Sequence, residues 1–310
     1  MLDTALIRVA ANLIRDGKLV SFPTETVYGL GANALDPTAI RKIYEVKGRP
    51  ATSPLIVHCA NIEMAVSLAE NWPHEADLLA AKYWPGPLTL VLRKRPHVPD
   101  ELTAGLPTVG LRVPKHPVAL ALLNIANVPI AAPSANRFTE ISPTTAEHVR
   151  QSLGDKVDLI LDGGPTQVGI ESTVVSLAQE VPLLLRPGMV TQAEIEAVLG
   201  RPVERVHEAD GAHPSPGLHE RHYSPHTELV LVTAEEGPPK KGNGAFLYLT
   251  QPRKAARVVA MPRDAAGYAQ RLYDVLHQED ASRWDWIAVE LPPDQPEWAG
   301  ILDRLRRASV

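Results

Sequence analysis

Lys18-Leu-Val-Ser-Phe-Pro-Thr-Glu-Thr-Val-Tyr-Gly-Leu-Gly31 is the stretch on which the fold turns. Lys18 to Phe22 reads as a strand. A helical pattern precedes it, with Leu6, Val9, Ala10, Leu13 and Ile14 at helical spacing and Gly17 as the stop. Thr24, Glu25 and Thr26 then gather hydroxyls and a carboxylate at the strand's end, where α/β sheets commonly bind ligands. Gly29-Leu-Gly31-Ala-Asn-Ala34 matches the short form of a dinucleotide fingerprint. That motif needs its glycines in the strand-to-helix turn, and here Pro23-Thr-Glu-Thr intervenes and no helix starts at Gly31. The glycines read instead as residues of a tight turn. No G-x-x-x-x-G-K-[ST] run exists, so any phosphate must be held by Lys, Arg, hydroxyls and backbone N–H groups.

Outward from this stretch, strands and helices alternate without strict βαβ order, which predicts a mixed sheet. Asp36 caps and Pro37 opens a helix running through Tyr44. Strands are expected at 55–58, 88–92, 109–113, 128–132, 159–162, 172–177 and 183–186, and helices at 62–70, 74–83, 145–153 and 191–199. From His207 to Pro225 periodicity stops and Pro, Gly and His dominate, so this reads as a linker that folds over the first unit as a lid. Strands at 229–232, 245–249 and 286–291, with helices near 265–276 and at the C-terminus, form a second α/β unit of the open-sheet kind. The expected division is 1–206, a linker 207–227 and 228–310.

Composition narrows the function classes. The 310 residues are 45% apolar and 22% charged, sufficient for a large core. The net charge of −5 does not indicate nucleic-acid binding driven by charge alone. A single cysteine, Cys59, excludes a disulfide framework and a Cys-rich metal site. The spacing of His219, His222 and His226 superficially suggests zinc, but the prolines around them break any metal-binding helix, and solvated linker histidines are the expected reading. The N-terminus lacks a signal-peptide pattern, and no apolar run approaches the roughly 20 residues that cross a bilayer, so a cytoplasmic location is expected.

Polar groups recur at strand ends: Lys47 and Arg49, Ser53, His58, Thr108 and Arg112, Ser134 and Asn136, Ser142, Ser172, and Arg186. This set offers cations for a polyphosphate and a carboxylate, with hydroxyls and amides for orientation. It contains no obvious Ser-His-Asp or Cys-His arrangement, which favours positioning and charge neutralisation over covalent catalysis.

Pro23 to Gly31, Lys47-Gly-Arg49 with Pro54-Leu-Ile-Val-His58, Trp84-Pro-Gly-Pro-Leu-Thr89, Val109-Gly-Leu-Arg-Val-Pro114, Ala132-Pro-Ser-Ala-Asn136 and Glu171-Ser-Thr173 together resemble the YrdC/Sua5 family. Ser215-Pro-Gly217, His222-Tyr-Ser-Pro225 and the closing stretch Gly300 to Ala308 resemble its two-domain Sua5 form. The resemblance implies a YrdC-like mixed twisted sheet with flanking helices, then a linker and a small Rossmann-like α/β domain. It implies the reaction of L-threonine, bicarbonate and ATP to threonylcarbamoyl-adenylate and pyrophosphate, which serves tRNA modification at adenosine 37. By motif, Thr26, His58, Arg112, Ala132 and Ser172 would contact threonine. Lys47, Arg49, Ser53, Thr108, Ser134, Asn136, Ser142, Arg186 and Tyr223 would contact ATP, with Lys47 and Arg49 as the catalytic pair. Mg²⁺ would accompany ATP, and tRNA and tRNA-modification proteins are the implied partners. The competing reading is a tRNA- or double-stranded-RNA-binding module without catalysis.

Overall fold

A computed structural model describes residues 3–206 and 222–310. The Asp3 carboxylate accepts the Leu6 N–H at 3.0 Å and starts α1 (Thr4–Arg15). The opening stretch becomes a hairpin: β1 (Val20–Pro23) pairs antiparallel with β2 (Tyr28–Asn33), Val20 opposite Gly31 and Pro23 opposite Tyr28. The reading of Gly29 and Gly31 as turn residues is therefore corrected. Both lie within a strand, and neither has a positive φ. Their lack of a Cβ serves packing: at Gly31 a Cβ would stand 2.7 Å from Phe22 Cε1 and 2.9 Å from Ile130 Cγ2. The turn itself is Thr24 to Val27. There the Thr24 hydroxyl accepts the N–H groups of Thr26 and Val27 at 3.2 Å and donates to Val27 O at 2.7 Å.

The chain continues with α2 (Pro37–Lys47), β3 (Ile56–His58), α3 (Ile62–Leu68), α4 (His74–Tyr83), β4 (Leu88–Arg93), α5 (Asp100–Thr103), β5 (Thr108–Arg112), α6 (Pro117–Ala126) and β6 (Ile130–Ala131). Then come α7 (Ala146–Leu153), β7 (Leu159–Ile160), β8 (Thr173–Ser176), β9 (Leu183–Arg186), α8 (Gln192–Leu199) and β10 (Glu204–Arg205). These strands form one mixed sheet in the order β10-β9-β8-β4-β5-β3-β6-β2-β1-β7. Alternation along the strands sends successive residues to opposite faces. Tyr28, Leu30, Val57, Leu90, Leu111 and Ala131 pack into a cluster with α2, α4 and α7. Val20, Phe22, Ile130 and Ala132 pack against α1 and α6 on the other face. Those two helices cover only one end of that face, which leaves its middle, over β3, β5 and β8, for a cleft.

The second sheet is wholly parallel, in the order β11 (Glu228–Val232), β14 (Trp286–Glu290), β12 (Gly244–Tyr248), β13 (Arg257–Ala260). The helices α9 (Ala265–Ala281) and α10 (Ala299–Ala308) accompany it and carry the contact with the first unit. Val27, Ile141 and Ile170 share an apolar cluster with residues of α9 and α10. Glycines let the backbones meet. A Cβ on Gly169, whose φ is +83°, would fall 2.3 Å from Ala269 O, and one on Gly300 would fall 2.8 Å from Gly188 Cα.

His148 of α7 and His277 of α9 stack across the same contact, with ring centroids 3.9 Å apart. His277 Nε2 lies 3.1 Å from Ser142 O, and His148 Nδ1 accepts the Thr144 N–H. Burial lowers both pKa values, that of His277 to about 4, with His148 as an added cause; Asp274, Glu147 and Asp280 oppose the shifts. The unfolded chain protonates these rings near pH 6.5, and the folded chain does so only at lower pH. Between those values the unfolded state binds more protons, so stability falls as pH falls from about 6.5 toward 4. Urea midpoints measured across that range should fall with acid, and His277→Gln should flatten the slope. An unchanged slope in the variant would refute the assignment.

Candidate active site

The cleft over the first sheet is narrow, with a cavity volume of about 50 Å³, and opens to solvent. Its walls come from the β1–β2 turn, the ends of β3 and β5, the segment after β6, the segments beside β8 and β9, and His222-Tyr223. Strand register sets one end of it. His58 is opposite Arg112 in the parallel β3–β5 pair and opposite Ile130 in the β3–β6 pair. Burial and the Arg112 charge push the His58 pKa down to about 3, so the imidazole is neutral at physiological pH. Its Nδ1 is buried without a hydrogen-bond partner, an acceptor left for something in the cleft. Arg112 donates from Nε to Gly86 O at 3.2 Å, and its Nη2 stands 2.7 Å from Glu25 Oε1. That contact is a close ion pair set off the hydrogen-bond axis, since neither atom has an aligned partner. Glu25 Oε2 accepts the Lys115 N–H at 2.9 Å. Thr26, hydrogen-bonded to Thr24 at 2.8 Å, and Ala132 complete this end.

The other end carries two more arginines. Arg49 follows the left-handed Gly48 cap of α2, donates to Ser53 Oγ at 2.5 Å and lies over the Phe138 ring at 5.8 Å. Arg186, at the end of β9, donates from Nε to Ser172 O at 3.1 Å and from Nη2 to Ser172 Oγ at 3.2 Å. Ser172 in turn shares a 2.8 Å hydrogen bond with Thr89. Tyr223 has a positive φ of 63° and a buried hydroxyl with no hydrogen-bond partner. It stacks on Tyr273 of α9.

Of the residues singled out in the sequence, Thr26, Arg49, His58, Arg112, Ala132, Ser134, Ser172, Arg186 and Tyr223 line this cleft. Lys47, Ser53, Thr108, Asn136 and Ser142 do not. The Lys47 ammonium is buried and donates to Ser134 O, at 2.6 Å, and to Asn136 O, so it braces the loop bearing Ser134 rather than facing the cleft. Asn136 likewise donates to Arg137 O and Glu140 O, both at 2.8 Å. Ser53 supports Arg49 from behind. Thr108 begins β5, at the opposite end from Arg112, beside a smaller recess with Pro54 and Val174. Ser142 donates to Glu171 Oε1 at 2.5 Å.

Sequence reasoning places Glu25 at a ligand-binding strand end without giving it a role, and it names neither Glu171 nor His222 as a site residue, although each sits in a quoted motif. An acid inside a run of hydroxyls and apolar residues was the available signal. Glu171 accepts from Ser142, from Tyr273 OH at 3.1 Å and from Arg304 Nε at 2.8 Å. Burial alone would raise its pKa, but the Arg304 and Arg186 charges and these hydrogen bonds hold it below the ordinary value. Of the expected lid, the described part, 222–225, packs onto the first unit, with Ser224 N–H donating to Thr139 O at 2.8 Å. His207, His213, His219 and Ser215-Pro-Gly217 lie outside the described residues.

Among the described residues no group of three or more His, Cys, Asp or Glu is placed to hold a metal. Glu171, the carboxylate lining the cleft, is paired with Arg304.

The family model Sua5_yciO_yrdC, described as telomere recombination, matches residues 12–188, and a second, described as threonylcarbamoyl-AMP synthase, C-terminal domain, matches 190–310. That boundary falls before α8 and β10, which the structure places with the first sheet. The chain is 43% identical to the threonylcarbamoyl-AMP synthase of Pyrococcus abyssi, over 98% of this chain and 94% of that one. It is 41% identical to that of Bacillus subtilis, over 98% and 92%. The crystal structure of P. abyssi Sua5 complexed with L-threonine superposes with a TM-score of 0.93 at 40% identity, covering 100% of this chain and 95% of that one. E. coli YciO matches with a TM-score of 0.52 at 27% identity, over 61% of this chain and 91% of that one.

Proposed function

The chain belongs to the Sua5_yciO_yrdC family, in the form that carries the Sua5 C-terminal domain, and on that membership we propose how its cleft works. The protein is a threonylcarbamoyl-AMP synthase, a nucleotidyltransferase of tRNA processing. The observation that carries the residue assignment is the placement in one cleft of Arg112 with neutral His58 at one end and Arg49 with Arg186 at the other. Arg112 takes the threonine carboxylate with its guanidinium fork, while Glu25 limits how that fork can turn. His58 Nδ1 accepts a hydrogen bond from the threonine hydroxyl or nitrogen. Thr26, Ala132 and Ser172 complete the threonine side.

Threonine nitrogen bonds to the bicarbonate carbon and water leaves, giving the carbamate. A carbamate oxygen then attacks the α-phosphorus of ATP, and pyrophosphate departs with the electron pair of the broken P–O bond. Arg49, Arg186, Ser134 and Tyr223 contact ATP and neutralise charge developing on the phosphates. Lys47, Asn136, Ser53 and Ser142 hold those groups in place, and Thr108 is assigned to the nucleotide through the recess beside β5. ATP enters as its Mg²⁺ complex, as substrate. The division into a catalytic unit 1–206, a connecting segment 207–227 and a second unit 228–310 belongs to this reading. So does a cytoplasmic setting beside tRNA-modification proteins; no described helix is long and apolar enough to cross a membrane.

Pyrophosphate release measured with each of ATP, threonine and bicarbonate omitted in turn tests the reading. Release should require all three. Release that ignores threonine would overturn the synthase assignment. RNA binding with no release at all would favour the binding module.

A further inference from the structure

We propose that Arg304, in the last helix of the chain, is a positioning residue for the phosphate-side half of the cleft, closing a ring of contacts around Ser172 and Arg186. The proposal rests on the synthase reading above. Arg304 has no exposed side-chain surface and does not line the cleft, so it can act only through other residues.

Its guanidinium reaches both sides of one corner of the active site. Nε donates to Glu171 Oε2 at 2.8 Å and Nη2 to Glu171 O at 3.3 Å, immediately before Ser172. Nη1 donates to Pro187 O at 2.9 Å, immediately after Arg186. Arg186 and Ser172 are themselves joined by two hydrogen bonds. The ring therefore runs Arg304, Glu171, Ser172, Arg186, Pro187 and back to Arg304. Asp303 accepts from Nη1 at 2.8 Å and fixes the guanidinium from its own helix.

The same guanidinium lies 5.3 Å from the Tyr223 ring, and Glu171, its ion partner, holds Ser142. Everything Arg304 reaches is thus on the ATP side or at Ser172. Thr26, His58 and Arg112 have no contact with it. A planar fork with fixed donors can span both carbonyls and the carboxylate, whereas a lysine ammonium presents one point charge. The second unit of the chain is in this sense a built part of the active site.

The test uses full-length Arg304→Lys and Arg304→Ala. Pyrophosphate release is followed against ATP and against threonine, and threonine binding is measured by calorimetry. In Arg304→Lys the ATP KM should rise about ten-fold or more, while threonine affinity, which the ring touches only at Ser172, falls by no more than about three-fold. Millimolar guanidinium should restore part of the ATP KM in Arg304→Ala. An ATP KM within two-fold of the unaltered chain in Arg304→Lys overturns the proposal. So does parallel loss of threonine binding in both variants that guanidinium does not restore, because that marks a merely structural role. If the unaltered chain itself released no threonine-dependent pyrophosphate, the synthase reading would fail instead.

Discussion

Arg112→Ala is expected to lower kcat/KM for threonine by about two to three orders of magnitude while leaving the ATP KM within about three-fold. The magnitude follows from losing a charge-assisted, bidentate carboxylate contact in a buried site, worth about 3–4 kcal/mol, with each 1.4 kcal/mol counting tenfold. The selectivity follows from position. Arg112 is register-matched to His58 at one end of the cleft, and the ATP-side arginines, Arg49 and Arg186, have their own supports in Ser53 and Ser172.

The same substitution has a second consequence that separates function from folding. Glu25 is buried, and among the described residues its only charged neighbour in ion-pair range is Arg112 at 2.7 Å. Removing the cation leaves an uncompensated buried carboxylate, a loss of about 3–5 kcal/mol in stability. Arg112→Ala/Glu25→Gln should recover much of the lost melting temperature, because the glutamine still accepts the Lys115 N–H. It should recover none of the threonine kinetics. Activity returning with stability in the double variant would show that Arg112 acts through the fold and not on the substrate. Loss of ATP binding ahead of threonine use would reverse the assignment of the two ends.

The elements that the sequence announced are those whose signals are local. The helix α2 starts where Asp36 and Pro37 place it as cap and first-turn residue, and it runs past the expected end at Tyr44 to Lys47, where the left-handed Gly48 stops it. The strands β3, β4 and β5 are short apolar runs between turn residues. β2 escaped because Tyr28-Gly-Leu-Gly-Ala-Asn33 has glycines where strand propensity wants branched residues. Tertiary packing against Phe22 and Ile130 decides there, and that cannot be read from a window of six residues. α6 escaped for the opposite reason: Val118-Ala-Leu-Ala-Leu-Leu123 is apolar all round, so no amphipathic period marks it. In the site, motif resemblance names residues that the fold gathers around one cleft, but it does not tell those lining the cleft from those behind it. Lys47 reads as a phosphate ligand in sequence, and in space its ammonium donates to Ser134 O and Asn136 O behind the cleft. The Glu171–Arg304 link joins residues 133 positions apart and is invisible to any local pattern.

A chain ending at Arg205 should bind threonine within about ten-fold of the full-length protein yet release pyrophosphate at least about a hundred-fold more slowly. Thr26, His58, Arg112 and Ala132 all lie on the first sheet or beside it, and E. coli YciO shows that a chain covering only about this unit adopts a similar fold. Truncation removes His222 and Tyr223 from the cleft wall and takes Tyr273 and Arg304 from Glu171. Glu171 then keeps Ser142 but loses its cation, and the corner bearing Ser172 and Arg186 loses its tie to Pro187. It also exposes Val27, Ile141 and Ile170, which the second unit covers, so the melting temperature should drop even where the sheet stays folded. Two losses then act together on the chemical step: the ATP-side groups are no longer held where charge develops, and water reaches the carbamate before it is adenylated. Calorimetric threonine binding establishes that the truncated chain is folded, and single-turnover pyrophosphate release reads the step itself. Kinetics unchanged by truncation would mean that the second unit is neither a wall of the site nor a lid upon it. Threonine binding lost together with pyrophosphate release would mean that its contribution is to the fold of the first sheet.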